Sequence, residues 1–199
     1  MTDWSFIIGF MPKRVDHAAR RQEILQAAVR VFARKGFASS RIEDVAAEAG
    51  IAKGSVYLSF DSRDALLQAA FESYAAGSAQ LLASLEPGPA LDRLATLVRR
   101  VVAMLAAHPD HARVLVDLWS AGPPLDMAAV YRDYREAIAG LLRQAREEGA
   151  LRPGIDERHA VVIVAAIEGC LLQWLVDPEL PLADLAAPII EVCVEGVRS

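Results

Sequence analysis

Apolar residues recur along this chain every three or four positions, and no segment alternates apolar and polar side chains with the period of a strand. That pattern restricts the chain to an all-α fold. Ile24, Ala27, Ala28, Val31 and Phe32 form one stripe of a helix predicted over 18–35; Arg20, Arg21, Arg30 and Arg34 lie off the stripe, and Gly36 stops it. Ser40 followed three residues on by Glu43 is a capping-box pattern, which predicts a short second helix over 41–49. Gly50 ends it, Ile51 turns inward, and a third short helix runs over 53–58. Asp61 or Ser62 caps a long fourth helix reaching about residue 85.

Prolines and glycines divide the remainder into about six helices. Pro87-Gly88-Pro89 precedes a fifth over 91–107, His108-Pro109 ends it, and Asp110 caps a sixth that stops at Gly122-Pro123-Pro124. A seventh covers 125–148, Asp156 caps an eighth ending at Val176, and a ninth follows Pro178 and Pro181 to near Val197, with Pro188 kinking it or closing its first turn. The longest apolar run, 160–176, is interrupted by Glu168, Gly169 and Gln173 and falls short of the roughly 20 residues a membrane span needs, so it predicts a buried helix.

Within the first three helices Ala46, Gly50 and Val56 stand four and then six positions apart, the spacing of a helix-turn-helix. A small residue at 46 lets the next helix cross, a glycine at 50 makes the turn, and an apolar residue at 56 locks the second helix onto the first. Val45, Ala49, Ile51 and Phe60 complete the small core.

The segment 40–66, from Ser40-Arg41-Ile42-Glu43 through Gly50-Ile51-Ala52-Lys53-Gly54-Ser55-Val56-Tyr57-Leu58-Ser59-Phe60 to Asp64-Ala65-Leu66, resembles the DNA-binding signature of the TetR family. Ile24-Leu25-Gln26-Ala27-Ala28 and Phe32-Ala33-Arg34-Lys35-Gly36-Phe37 resemble that family's first helix, and the likeness spans about residues 20–66. It implies a nine-helix protein: a helix-turn-helix DNA-binding domain over 16–62 and a ligand-sensing, dimerising bundle over 63–199. It also implies a transcriptional regulator, a repressor released from a pseudo-palindromic operator by a small molecule. The alternative is a helical ligand-binding protein or enzyme that never meets DNA; no nucleophile–base pair, paired carboxylates or cofactor loop supports catalysis.

Lys53 and Gly54 open the recognition helix, so a cation, free amides and a position without a side chain are placed to meet a phosphate. Ser55 and Tyr57 offer hydroxyls, Leu58 an apolar tip suited to a thymine methyl, and Ser40 and Arg41 lie ready for the opposite phosphate strand. The resemblance implies the same roles at the matched positions. The chain departs from the family at Ala52, where a capping Ser or Thr is common, and at Ser59, where a His or Tyr often touches phosphate. Packing of Tyr57 in the small core and solvation of Lys53 are the plain alternatives.

The net charge of −5 is unevenly spread: residues 1–66 carry ten Lys or Arg against eight acids, residues 67–199 eleven against eighteen. Phosphate contact therefore belongs to the first part. The 54% apolar content leaves a surplus to hide, which points to a subunit interface. The eighth helix, apolar almost all round, needs cover on a second face; with Leu182, Leu185, Ile189, Val192 and Val197 of the ninth it resembles the pair through which the family dimerises.

Phe71, Tyr74, Met104, Trp119, Tyr131, Tyr134 and Trp174 supply aromatic or soft walls for a ligand site between helices four and eight, though aromatic residues at this spacing serve equally as plain core. Glu168 and Gln173, polar groups in a greasy helix, require a partner in the protein, the ligand or the other subunit. No cofactor is expected, and no metal, since Pro109 breaks the helix between His108 and His111 and no third ligand follows. Cys170 and Cys193 read as core thiols in a cytoplasmic protein. Residues 1–15 read as a disordered extension, with Met11-Pro12-Lys13-Arg14 as an alternative start.

Overall fold

The computed structural model describes residues 16–121 and 127–199. The extension expected at 1–15, the Gly122-Pro123-Pro124 break, and the side chains of Tyr74 and Trp119 lie outside the described residues. Among the described residues there are nine α-helices and no strand pair beyond one isolated antiparallel bridge between Leu151 and Arg198.

Helix α1 (His17–Lys35) starts where the Asp16 carboxylate accepts from the Ala18 and Ala19 amides at 3.0 and 3.2 Å, and it ends at Gly36, whose φ of 77° is left-handed. Helix α2 (Ile42–Glu48) begins one residue later than the Ser40/Glu43 pattern predicts. The Asp44 carboxylate, not that of Glu43, reaches back to the Arg41 amide at 3.0 Å, and the Ser40 hydroxyl donates to the Gly36 carbonyl at 2.7 Å. Two overlapping three-residue spacings compete here, and the one that buries Ser40 wins.

Helix α2 ends in a Schellman turn: the Gly50 amide donates to Ala47 at 3.2 Å and the Ile51 amide to Ala46 at 3.0 Å, which requires the φ of 65° found at Gly50. Helix α3 (Lys53–Tyr57) follows, uncapped by any side chain at Ala52, and α4 (Arg63–Ala83) is capped by the Ser62 hydroxyl, which accepts from the Ala65 amide at 3.0 Å.

Helices α5 (Ala90–Ala107), α6 (Pro109–Ala121), α7 (Met127–Glu147), α8 (His159–Val176) and α9 (Ala186–Cys193) build the larger part. Pro109 sits in the first turn of α6, where its missing amide costs nothing. Asp156 does not cap α8: its carboxylate accepts from the Arg158 amide at 2.9 Å and closes a turn before the helix opens at His159. The ninth segment is three pieces, a 3₁₀ turn (Leu182–Leu185), α9 and a second 3₁₀ turn (Glu195–Val197), with Pro188 inside the first turn of α9.

Two apolar clusters hold the molecule. The smaller joins α1, α2, α3 and the first turns of α4 around Ile24, Phe32, Val45, Val56 and Leu66, and Val114 of α6 enters it. Complete burial of a side chain such as Phe32 or Leu66 stabilises the head by about 1.5–3 kcal/mol each. The larger cluster packs α5 against α7, α8 and α9 through Leu94, Val98, Leu142, Ile163 and Ile189. The two meet along α4 and α6, and α6 packs directly against α1.

Within the single chain, helix α8 is buried on one face alone. Ala160, Ile163, Val164, Ile167 and Leu171 face the core, but Val161, Val162, Leu172 and Val176 stand exposed, as does Val192 on α9. By length and composition alone α8 passes for a membrane span; its core-facing stripe marks it as a bundle helix with one face uncovered.

Candidate nucleic-acid interface

Helices α2 and α3 owe their crossing to a few buried apolar groups. Val45, Ala46, Val56 and Phe60 are buried between the two helices and α1. Because Val56 points inward, its neighbours must point away, and Tyr57 is 45% and Leu58 90% exposed. For side chains this apolar, such exposure is unfavourable unless something covers them. Lys53 lies on the same outward side, its ammonium 5.7 Å from the centre of the Tyr57 ring and 2.5 Å from a Glu43 oxygen. That ion pair raises the Lys53 pKa and holds the Glu43 carboxyl below its ordinary value. Gly54 is exposed, and a Cβ built there meets nothing within 4 Å.

Of the other residues expected at this surface, Arg41 is exposed at the start of α2, while Ser55 and Ser59 are half-buried. Ser40 is only 1% exposed with its hydroxyl spent on the Gly36 carbonyl, so its side chain does not belong to this surface. Burial follows from Gly36: its carbonyl points into the α1–α2 corner and needs a donor there.

Two residues were not legible as part of this site. Glu43 was accounted for as a capping carboxylate, a task that Asp44 performs. Arg63, at the start of α4, donates to the carbonyls of Ala38 and Ser40 at 3.2 and 2.9 Å and fixes the corner from which α2 departs. A basic residue in the first turn of the fourth helix was the only signal of that role.

The remaining acids of α2 tie the helix to α1. Asp44 pairs with Lys35 at 2.5 Å, and Glu48 with Arg30 and Arg34 at 2.7 and 3.0 Å. Each carboxyl is pushed below its usual range, mainly by those hydrogen bonds.

In the larger part, Tyr131, Tyr134 and Trp174 are partly buried against the core, and Phe71 and Met104 are half-buried. Tyr131 hydrogen-bonds Glu168, whose carboxyl is pushed up by burial against the pull of Tyr131 and the charge of Arg135. Gln173 turns back to the Gly169 carbonyl at 3.3 Å. A small crevice between α1, α4 and α6 is lined by Gln22, Gln26, Ser73 and His111. The His108 and His111 rings meet edge to face with centroids 5.5 Å apart, and burial lowers the His111 pKa. Among the described residues no three potential ligands gather as a metal site.

A short outward helix hinged on a left-handed glycine, locked from behind by a buried valine and carrying a lysine and a tyrosine in front, defines a helix-turn-helix protein. The profile described as bacterial regulatory proteins, tetR family, matches residues 24–70. The fatty acid metabolism regulator protein of Bacillus subtilis is 25% identical over 186 residues, covering 89% of this chain and 95% of that one. The nicotine-responsive repressor HdnoR of Paenarthrobacter nicotinovorans is 26% identical over 195 residues, with 92% and 98% covered. The structure of FadR from Bacillus subtilis in complex with stearoyl-CoA superposes with a TM-score of 0.78 at 24% identity, covering 88% of this chain and 98% of that one. Residues 24–70 thus match the DNA-binding domain of the TetR family of bacterial regulators. The chain is a DNA-binding transcription regulator and not an enzyme.

Proposed function

We propose that this chain is a cytoplasmic dimeric repressor that leaves a pseudo-palindromic operator when a small apolar or amphipathic molecule enters the bundle over 63–199. The observation that carries the reading is the outward face of α3, where Leu58 and Tyr57 stand exposed beside Lys53 while Val56 anchors the helix from behind. On DNA, Lys53 and the uncapped first amides of α3 take one phosphate strand and Arg41 the other. Leu58 meets a thymine methyl, and Gly54 allows the backbone to come close.

Dimerisation through α8 and α9 would cover Val161, Val162, Leu172, Val176 and Val192, with Ala165 and Gly169 permitting close approach. A two-fold axis there sets the two α3 helices about 34–36 Å apart, one turn of duplex. Relatives supply the class of effector: one is nicotine-responsive and another is solved with stearoyl-CoA. Phe71, Met104, Tyr131, Tyr134, Trp174 and Glu168, together with Tyr74 and Trp119, are the candidate walls, and an effector placed against α6 is coupled to α1 through Val114.

The test is binding of the full chain to duplex from its own promoter region, titrated with salt. The expected result is a preference over random duplex, with Lys53→Met and Tyr57→Phe weakening binding to both duplexes alike. Equal binding to both duplexes overturns the reading.

A further inference from the structure

The three acids of α2 do not do the same work. Asp44 and Glu48 face α1, and their side chains are 25% and 22% exposed, so their pairs with Lys35, Arg30 and Arg34 fasten helix to helix. Glu43 is 56% exposed, its partner Lys53 is 50% exposed, and their 2.5 Å contact lies on the outward side of the head. Nothing in the fold requires this pair, because the amide at the start of α2 is already satisfied by Asp44.

We propose that Glu43 is a built-in stand-in for a DNA phosphate, occupying Lys53 in the free protein so that a phosphate gains that contact only by displacing a carboxylate. This rests on the reading of α3 as the DNA-facing helix. A carboxylate oxygen and a phosphate oxygen are interchangeable acceptors for an ammonium, each giving a short charge-assisted hydrogen bond. The Lys53 contact keeps Glu43 ionised well below neutral pH, so the competitor is present whenever the protein meets DNA.

Two consequences follow from exchanging one anion for another. The contact contributes less to affinity, and the loss is the same for every sequence, because phosphates carry no base information. The contact also adds little to salt dependence: the counterion released from DNA is replaced by one gathered at the freed carboxylate. Glu43 therefore sets how strongly the head holds any duplex, without altering which duplex it prefers.

The experiment compares wild type, Glu43→Gln, Lys53→Met and the double variant as full-length protein on promoter and random duplexes across a salt series. Glu43→Gln should tighten binding to both duplexes by the same factor, about threefold, as an exposed ion pair supports. It should also steepen the plot of log affinity against log salt by about 0.9, the slope of one phosphate contact. In the Lys53→Met background Glu43→Gln should change neither quantity. Unchanged or weaker binding by Glu43→Gln overturns the proposal, as does a gain that survives Lys53→Met, which would be a general charge effect. Wild type that fails to prefer its promoter is instead the failure of the regulator reading itself. Unaltered helical content and melting in Glu43→Gln, expected because Asp44 retains the cap, ensure that the binding change is read on a folded head.

Discussion

The guanidinium of Arg63 lies 4.2 Å over the ring of Phe37 while its Nη1 holds the Ser40 carbonyl at 2.9 Å. One side chain on α4 thus fixes the corner between α1 and α2, and with it the direction in which α2 and α3 leave. Arg63→Met keeps the stem and removes the donors. It should destabilise the head by about 1.5 kcal/mol, the low end for a charged hydrogen bond, since this one is partly solvated, and it should weaken promoter binding without abolishing it. Urea midpoint and duplex affinity measured on the same sample check both effects.

Gly50 is the second fixed point. Its φ of 65° is left-handed, and a Cβ there would meet nothing within 4 Å, so substitution costs backbone strain and no clash. Gly50→Ala should cost about 1 kcal/mol, and Gly50→Asn less, because asparagine tolerates that conformation better. Thermal melting of the two variants decides it: equal losses would mean that space, not φ, selects glycine here.

The same region shows how far the sequence could be read. The turn at Gly50 and the inward Val56 were legible because each demands one residue type at one spacing. The start of α2 was not, because Ser40/Glu43 and Arg41/Asp44 fit the same motif and only the half-buried Gly36 carbonyl chooses between them. The pairing of Lys53 with Glu43 depends on two helices meeting across a turn and leaves no periodic trace. In the larger part, helix number followed from proline and glycine positions. That α8 needs cover on a second face followed from its all-round apolar character, but which side chains the bundle leaves uncovered did not, since an all-apolar helix looks alike from every side.

His111 links pH to the contact between α1 and α6. Burial lowers its pKa first and the neighbouring His108 next, while Asp110 opposes them; the groups facing it from α1 and α4 in the crevice, Gln22, Gln26 and Ser73, do not titrate. Below the ordinary histidine value of about 6.5 the unfolded chain binds a proton that the folded chain refuses, so stability falls with pH through that window. His111→Gln should make the loss of melting temperature between about pH 7 and pH 5 shallower than in wild type. Parallel curves for the two proteins would contradict this.

Glu168 shifts in the opposite sense. Burial raises its pKa, so the folded chain holds a proton that the unfolded chain has released, and stability falls as pH rises from the ordinary carboxyl value of about 4.3 toward the raised one. Glu168→Gln keeps an acceptor for Tyr131 and should raise the melting temperature near neutral pH, while Tyr131→Phe should push the Glu168 pKa higher still. Thermal melts over a pH series and carboxyl NMR titration provide the two measurements.

The central claim is that the outward face of α3 meets DNA. Hydroxyl-radical footprinting of the full chain, with and without saturating promoter duplex, tests it residue by residue. Oxidation of Leu58 and Tyr57 should fall sharply on adding duplex while that of Val192, on the far helix α9, does not change. Undiminished oxidation of Leu58 and Tyr57 on a bound duplex would contradict it.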